Sequence, residues 1–284
     1  GVKIMQAAIT GEWRRPVNTA AHQKGGIHDD DTATDLGFRG GTVAGAIHME
    51  QFPPLLLEMF GADFWQTGTL SMYFRSATVD REPVRCLTTE PERVGNIRRT
   101  NVWMEKEDGT IVASGTASCG GHDEKSELRR KLESIRPISE LRILKNLKVG
   151  AQCEDQRCFV ENSFLDAQLG VITEPLSCYK TSNEFSGRVL PVTQVVRAFD
   201  APEVALITEV EPPFVGLYGA IEIEFINGPV LAETEYKGSG EIVGLSDSPQ
   251  TEILWRDSIL MTDKPIARML KMDRLMKNSS PRWD

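Results

Sequence analysis

The sequence predicts an α+β fold in which a long apolar helix is wrapped by an antiparallel β-sheet, and it predicts that unit twice in one chain. Three observations carry this expectation. The run from Val43 through Ile47, Met49 and Phe52 is almost continuously apolar, as for a helix buried on most sides. Segments of strand character follow it in close succession. The helix and the first strand then have an echo in the second half.

In chain order, Asp29, Asp30 and Asp31 read as a helix start, because short carboxylates accept bonds from first-turn amides and suit the positive end of the helix dipole. A short helix runs through Leu36 and stops at Gly37, which tolerates left-handed backbone. Gly40 and Gly41 turn the chain into the apolar helix, which Pro53-Pro54 kinks or restarts before the stop at Gly61. Strands are expected at 69–74, 84–89, 98–106 and 110–119, with Glu107-Asp108-Gly109 as a hairpin turn.

Residues 125–133 are charged and read as a solvated helix within a connector. Beyond it, Phe185-Ser186-Gly187-Arg188-Val189-Leu190 with Val195-Val196 and Phe199 parallels Phe38-Arg39-Gly40-Gly41-Thr42-Val43 with His48-Met49 and Phe52. Residues 216–225 echo 68–74. Later strands are expected at 232–237, 241–246 and 251–260, and 266–277 reads as an amphipathic helix or strand packed on the sheet. The expected boundaries are 1–122 for the first unit, 123–147 for the connector and 148–284 for the second unit.

The segment from Gly26 to Met49 concentrates the chemistry: Ile27-His28, the aspartates, Gly37-Phe38, and a small-residue helix start at Gly45. It resembles the signature of the MaoC-like, (R)-specific enoyl-CoA hydratases. The match covers about thirty residues. The resemblance implies two fused hot-dog units and a lyase that hydrates or dehydrates an acyl thioester, with CoA or an acyl carrier protein as the handle. It also implies His28 as general acid/base and an oxyanion hole from amides near Ala44 and Gly45. No cofactor is implied, since water addition needs none, and no metal site is expected. Pairing of two such chains at their edges into a homodimer is among the assemblies it allows.

The segment departs from the family pattern at defined positions. Gln23 stands where the family has its catalytic aspartate, Gly25-Gly26 where Asn-Pro precedes the Ile-His pair, and Ala44 where the family has a helix-start histidine. Gln23 cannot ionise, so it can hold a water but cannot serve as its base. Asp30, or its neighbour Asp29, is the expected replacement partner for His28. A second reading of His28 also stands, as a histidine bonding the turn at Asp29 to Asp31. His48 falls mid-helix, where a satisfied core histidine is the commoner role, although its position also places it among the expected substrate-binding residues with Gln23, Ala44 and Gly45.

Net charge −9 with 32 lysines and arginines argues against a generic nucleic-acid binder, which needs a dense basic stripe. No uncharged apolar run reaches the roughly 18 residues needed to span a bilayer, and the first ten residues lack a leader's apolar core. The 5 cysteines form no Cys-x-x-Cys pair, so a reducing, cytoplasmic setting is expected. Three function classes remain open on these residues: the lyase; another enzyme of the same scaffold, such as a thioesterase, isomerase or cyclase; and a non-catalytic acyl-binding protein.

Overall fold

The computed structural model describes residues 6–181 and 184–284. Residues 1–5 of the N-terminal stretch, and residues 182–183 where the second half lacks an Ile-His segment, lie outside the described residues.

The chain begins with the short strand β1 (Ile9–Thr10) and helix α1 (Asp30–Asp35). The apolar run then forms α2 (Gly45–Met49) and α3 (Pro53–Phe60), followed by α4 (Phe64–Thr67). The long helix is thus realised as two consecutive pieces. Prolines occupy the first two positions of α3, where a missing N–H costs no intrahelical bond. Gly61 ends it with φ 71°.

Strands β2 (Gly68–Phe74), β3 (Val84–Thr88), β4 (Glu92–Val94), β5 (Ile97–Lys106) and β6 (Ile111–Cys119) follow. The hairpin between the last two turns at Gly109, φ 82°. Helix α5 (Glu127–Glu133) leads to β7 (Gln152–Cys158), α6 (Asn162–Leu169), α7 (Ser177–Lys180), α8 (Val192–Ala198) and α9 (Asp200–Ala205). Strands β8 (Gly216–Phe225), β9 (Tyr236–Asp247), β10 (Thr251–Met261) and β11 (Pro265–Met276) complete the order. Among the described residues no helix is long and apolar enough to cross a membrane.

All of these strands belong to one 11-stranded antiparallel sheet of order β1-β3-β5-β6-β2-β8-β11-β10-β9-β7, with β4 added on β5. The first half therefore fills one side and the second half the other. They meet where β2 pairs β8, from Thr69 opposite Glu224 to Tyr73 opposite Ala220. Helices α2, α3, α4 and α8 pack on one face, where Phe52, Leu56 and Phe64 from one half share a core with Val195 and Phe199 from the other, while α5 packs on the opposite face through Leu128.

The expected repeat is visible in the backbone bonds. Thr42 N–H donates to the Ile27 carbonyl at 2.8 Å, and Val189 N–H to the Cys178 carbonyl at 3.0 Å. Val43 bonds Thr78, and Leu190 bonds Val230, each at 3.0 Å. Residues following the two acceptors are therefore equivalent, which sets Tyr179 in the place that His28 holds in the first half.

Two expectations change, and one left open is decided. Residues 125–133 are not wholly solvated: Leu128 is fully buried, and Arg129 reaches across the seam to Glu222 at 3.1 Å and Asp257 at 3.2 Å. Periodicity alone cannot reveal that an arginine has buried carboxylate partners. The strand expected at 241–246 extends back to Tyr236 as β9, because Gly238 and Gly240 leave room for Cys158 and Leu206 rather than breaking it, while residues 232–235 of the strand expected at 232–237 form a turn ahead of it. Residues 266–277 resolve as strand β11, held between β10 and β8.

The halves are also tied by Glu50, which is buried. Its carboxylate accepts from the Thr193 amide at 3.1 Å, the Thr193 hydroxyl at 2.6 Å and Gln168 Nε2 at 2.6 Å. Burial outweighs these bonds and pushes the Glu50 carboxyl up from 4.5 to about 7. A group raised on folding contributes its stability fully below pH 4.5 and loses it as pH rises through 7. The loss is on the order of 3 kcal/mol for such a shift. Glu50→Gln removes the titration, and a turned Gln168 amide can accept from the new side-chain N–H. The variant's unfolding midpoint relative to wild type is therefore expected to rise between pH 4.5 and pH 8, measured by thermal unfolding; an unchanged difference across that range would reject the assignment.

Candidate functional site

His28 sits on the turn that enters α1, and its surroundings follow from short-range chemistry. Asp29 is buried at the head of α1, where its carboxylate accepts from Lys24 and from the Thr32 hydroxyl, both at 2.8 Å. These bonds, the one from Lys24 first, hold it down to about 2. Asp30 Oδ1 accepts the Gly41 amide at 2.6 Å and so draws the glycine turn back onto the His28 segment. Position 41 admits no side chain, since a Cβ there would lie 2.3 Å from the His28 carbonyl oxygen. Asn18 Nδ2 caps that same oxygen at 2.9 Å.

This close approach brings Thr42 to the histidine ring. His28 Nδ1 lies 2.6 Å from the Thr42 carbonyl oxygen. A carbonyl can only accept, so Nδ1 carries the hydrogen and the neutral ring keeps its lone pair on Nε2. The expected pairing of His28 with Asp30 or Asp29 is replaced by this bond. Both carboxylates are spent on the local turn, as adjacent side chains at a helix start point in different directions. Gln23 is exposed on a turn of its own, its amide bonded to the Ala20 carbonyl at 3.0 Å, and it does not line the cavity beside His28.

That cavity has a volume of about 300 Å³ and is lined by His28, Ala44, Gly45 and His48 from the expected set. Ala44 stands at the head of α2 with no side-chain cap, leaving first-turn amides that the helix cannot satisfy internally. Phe74 lies across Gly45, whose Cβ would sit 2.3 Å from its ring. His48 is buried, with Nε2 2.7 Å from the Thr78 hydroxyl. Burial pushes it from 6.5 to about 4, so it stays neutral at working pH.

The far wall comes from the other half. Gly216, Leu217, Tyr218 and Gly219 of β8 line it together with Arg274 of β11. Below Tyr73 and Ala220 the registered pairing of β2 with β8 ends, and the cavity occupies the resulting gap. Tyr218 and Arg274 escaped the sequence reading because nothing local marks them. The two glycines around Leu217-Tyr218 were a signal of close approach, absorbed there into the strand echo.

Neither a protein-family model nor a curated protein matches this chain by sequence. Solved structures do match. A protein described as a MaoC-domain dehydratase of Chloroflexus aurantiacus aligns with TM-score 0.64 over 96% of this chain and 95% of its own at 9% identity. A protein of Mycobacterium tuberculosis described as having a double hot-dog fold aligns with TM-score 0.65 over 97% of each chain at 9% identity. A MaoC-like dehydratase aligns with TM-score 0.57 over 94% of this chain and 96% of its own at 13% identity. The fold is a double hot dog.

The two units of this double hot dog differ at the equivalent place. Where the first has His28 beside an open cavity, the second has Tyr179 packed edge-on against Trp65 at 6.0 Å between centroids, with Phe225 at 5.8 Å from Trp65 on another side. Tyr179 and Trp65 are fully enclosed, so this end of the seam is filled. The double hot dog therefore offers a histidine-bearing cavity in its first unit and a packed aromatic cluster in its second.

Proposed function

We propose that this chain is a lyase that adds water to, or removes it from, an enoyl-type acyl thioester in the His28 cavity. The observation that supports it is the 2.6 Å contact between His28 Nδ1 and the Thr42 carbonyl, from which the tautomer follows. With Nδ1–H held on the Thr42 carbonyl, Nε2 is the basic atom of a ring that lines a cavity ending at the first-turn amides of α2. We assign catalysis to the unit 1–122, with 123–147 as connector and 148–284 as the unit that supplies the far wall.

In the hydration direction, His28 Nε2 takes a proton from water as the water oxygen bonds to the β-carbon. The electrons of the double bond move through the α-carbon to the thioester oxygen. Amides near Ala44 and Gly45 stabilise the enolate formed there. The imidazolium then returns its proton to the α-carbon, closing the balance with no cofactor. The Thr42 carbonyl orients the ring as a carboxylate would. Being neutral, it stabilises the imidazolium less, so a slower reaction is expected than on a His–Asp dyad.

The test is the absorbance of the conjugated thioester for crotonyl-CoA and longer enoyl-CoAs, with free thiol followed in parallel. Loss of the conjugated band without thiol release is expected. Thiol release from saturated thioesters would transfer the site to thioesterase chemistry, and silence in both channels would overturn an enzymatic reading.

A further inference from the structure

The opposite face of the sheet carries a second cavity, larger than the first. It measures about 780 Å³, which is within the roughly 300–1,000 Å³ typical of ligand sites. It lies between the end of α5, the segment that follows it and strands β10 and β11. Lys131, Arg136, Arg274 and Lys277 line it, against Asp247 as the carboxylate among its lining residues. In a chain of net charge −9 this is a local reversal of sign.

Three of these cations, Lys131, Arg274 and Lys277, are held in place by neutral or shared partners. Tyr73 anchors two of them: the Arg274 guanidinium donates to its hydroxyl, and Lys131 Nζ lies 4.1 Å from its ring centroid. Glu127 meets Lys131 at 3.5 Å from α5, and Asp247 meets Lys277 at 3.3 Å. Asp247 also accepts the Ser139 amide at 2.8 Å, tying the segment after α5 over the cavity. Cations thus outnumber the carboxylates that face them. Arg274 lines both this cavity and the His28 cavity, so the two meet at one guanidinium. A Cβ at Gly219 would lie 2.4 Å from Met272 Sδ and 2.9 Å from Arg274 Nε, so the bare backbone there makes room for both side chains.

We propose that this cationic cavity binds the phosphorylated nucleotide end of a CoA handle while the acyl end occupies the His28 cavity. The inference rests on the acyl-thioester reading above. Several cations converging on an open cavity suit the multiple phosphates of a small nucleotide, and guanidinium and ammonium groups form charge-assisted bonds with such oxygens. The net charge of −9 disfavours nonspecific binding of so anionic a group.

The test compares CoA with pantetheine, which lacks the phosphates, by calorimetric titration of wild type and of Lys131→Glu/Arg136→Glu. Wild type is expected to bind CoA about tenfold or more tightly than pantetheine, the counterpart of roughly 1.4 kcal/mol. The double variant is expected to lower CoA to the pantetheine level without moving pantetheine. Arg136→Glu alone, at an exposed position, serves if the double variant melts early. Equal CoA affinity in wild type and variant would overturn the proposal, as would pantetheine binding as tightly as CoA. Turnover of a phosphate-free enoyl N-acetylcysteamine thioester separates the two readings. Activity there with no CoA preference removes the cationic site and leaves the lyase, whereas CoA binding lost in the variant with no turnover does the reverse.

Discussion

Replacing His28 by alanine is expected to lower turnover of an enoyl thioester by about 10²–10⁴-fold, the range lost with a general acid/base. Two features make this the larger of the chemical effects. The ring is oriented by a 2.6 Å bond to the Thr42 carbonyl, which assigns the lone pair to Nε2. Among the described residues lining the cavity no second base can replace it, because His48 is engaged with Thr78 at 2.7 Å and is driven towards about 4 by burial. The loss of the bond to Thr42 costs about 1 kcal/mol of stability. Chemical denaturation should therefore change little while the rate collapses. A variant that keeps wild-type turnover would return His28 to a structural role.

Trp65→Ala is the corresponding test of packing, with an expected loss of about 3–5 kcal/mol, the range for large aromatic truncations in cores. Trp65 is 2% exposed and touches Phe64, Tyr179 and Phe225 with centroids at 5.6, 6.0 and 5.8 Å. These contacts join both units, so the cavity left behind cannot close by moving one side alone. The readout is the urea midpoint at constant slope. At temperatures where the variant stays folded, turnover at His28 is expected to persist, since that cavity is walled by β8 and β11 and not by Trp65. A loss below about 1 kcal/mol would mean that the cluster is not a load on folding.

Much of the fold was legible because its signals are local. The apolar run from Val43, the prolines at 53 and 54, and the stop at Gly61 each act through backbone geometry within a few residues. The strands at 69–74, 84–89, 98–106 and 110–119 fall within a residue or so of β2, β3, β5 and β6. The polar edge strand β7 was missed, as its residues are largely exposed and show no apolar alternation.

What the sequence by itself determined is the repeat, the helix-and-sheet class, and a histidine set at a tight glycine turn before a buried helix. The tertiary structure decided everything that depends on distant groups. It spent Asp29 and Asp30 on the turn, put the Thr42 carbonyl on Nδ1, filled the Tyr179 end with Trp65, and brought Tyr218 and Arg274 to the far wall. The physical reason is that periodicity and capping act over a few residues, whereas a proton's place on a ring is set by whichever acceptor the folded backbone delivers to it.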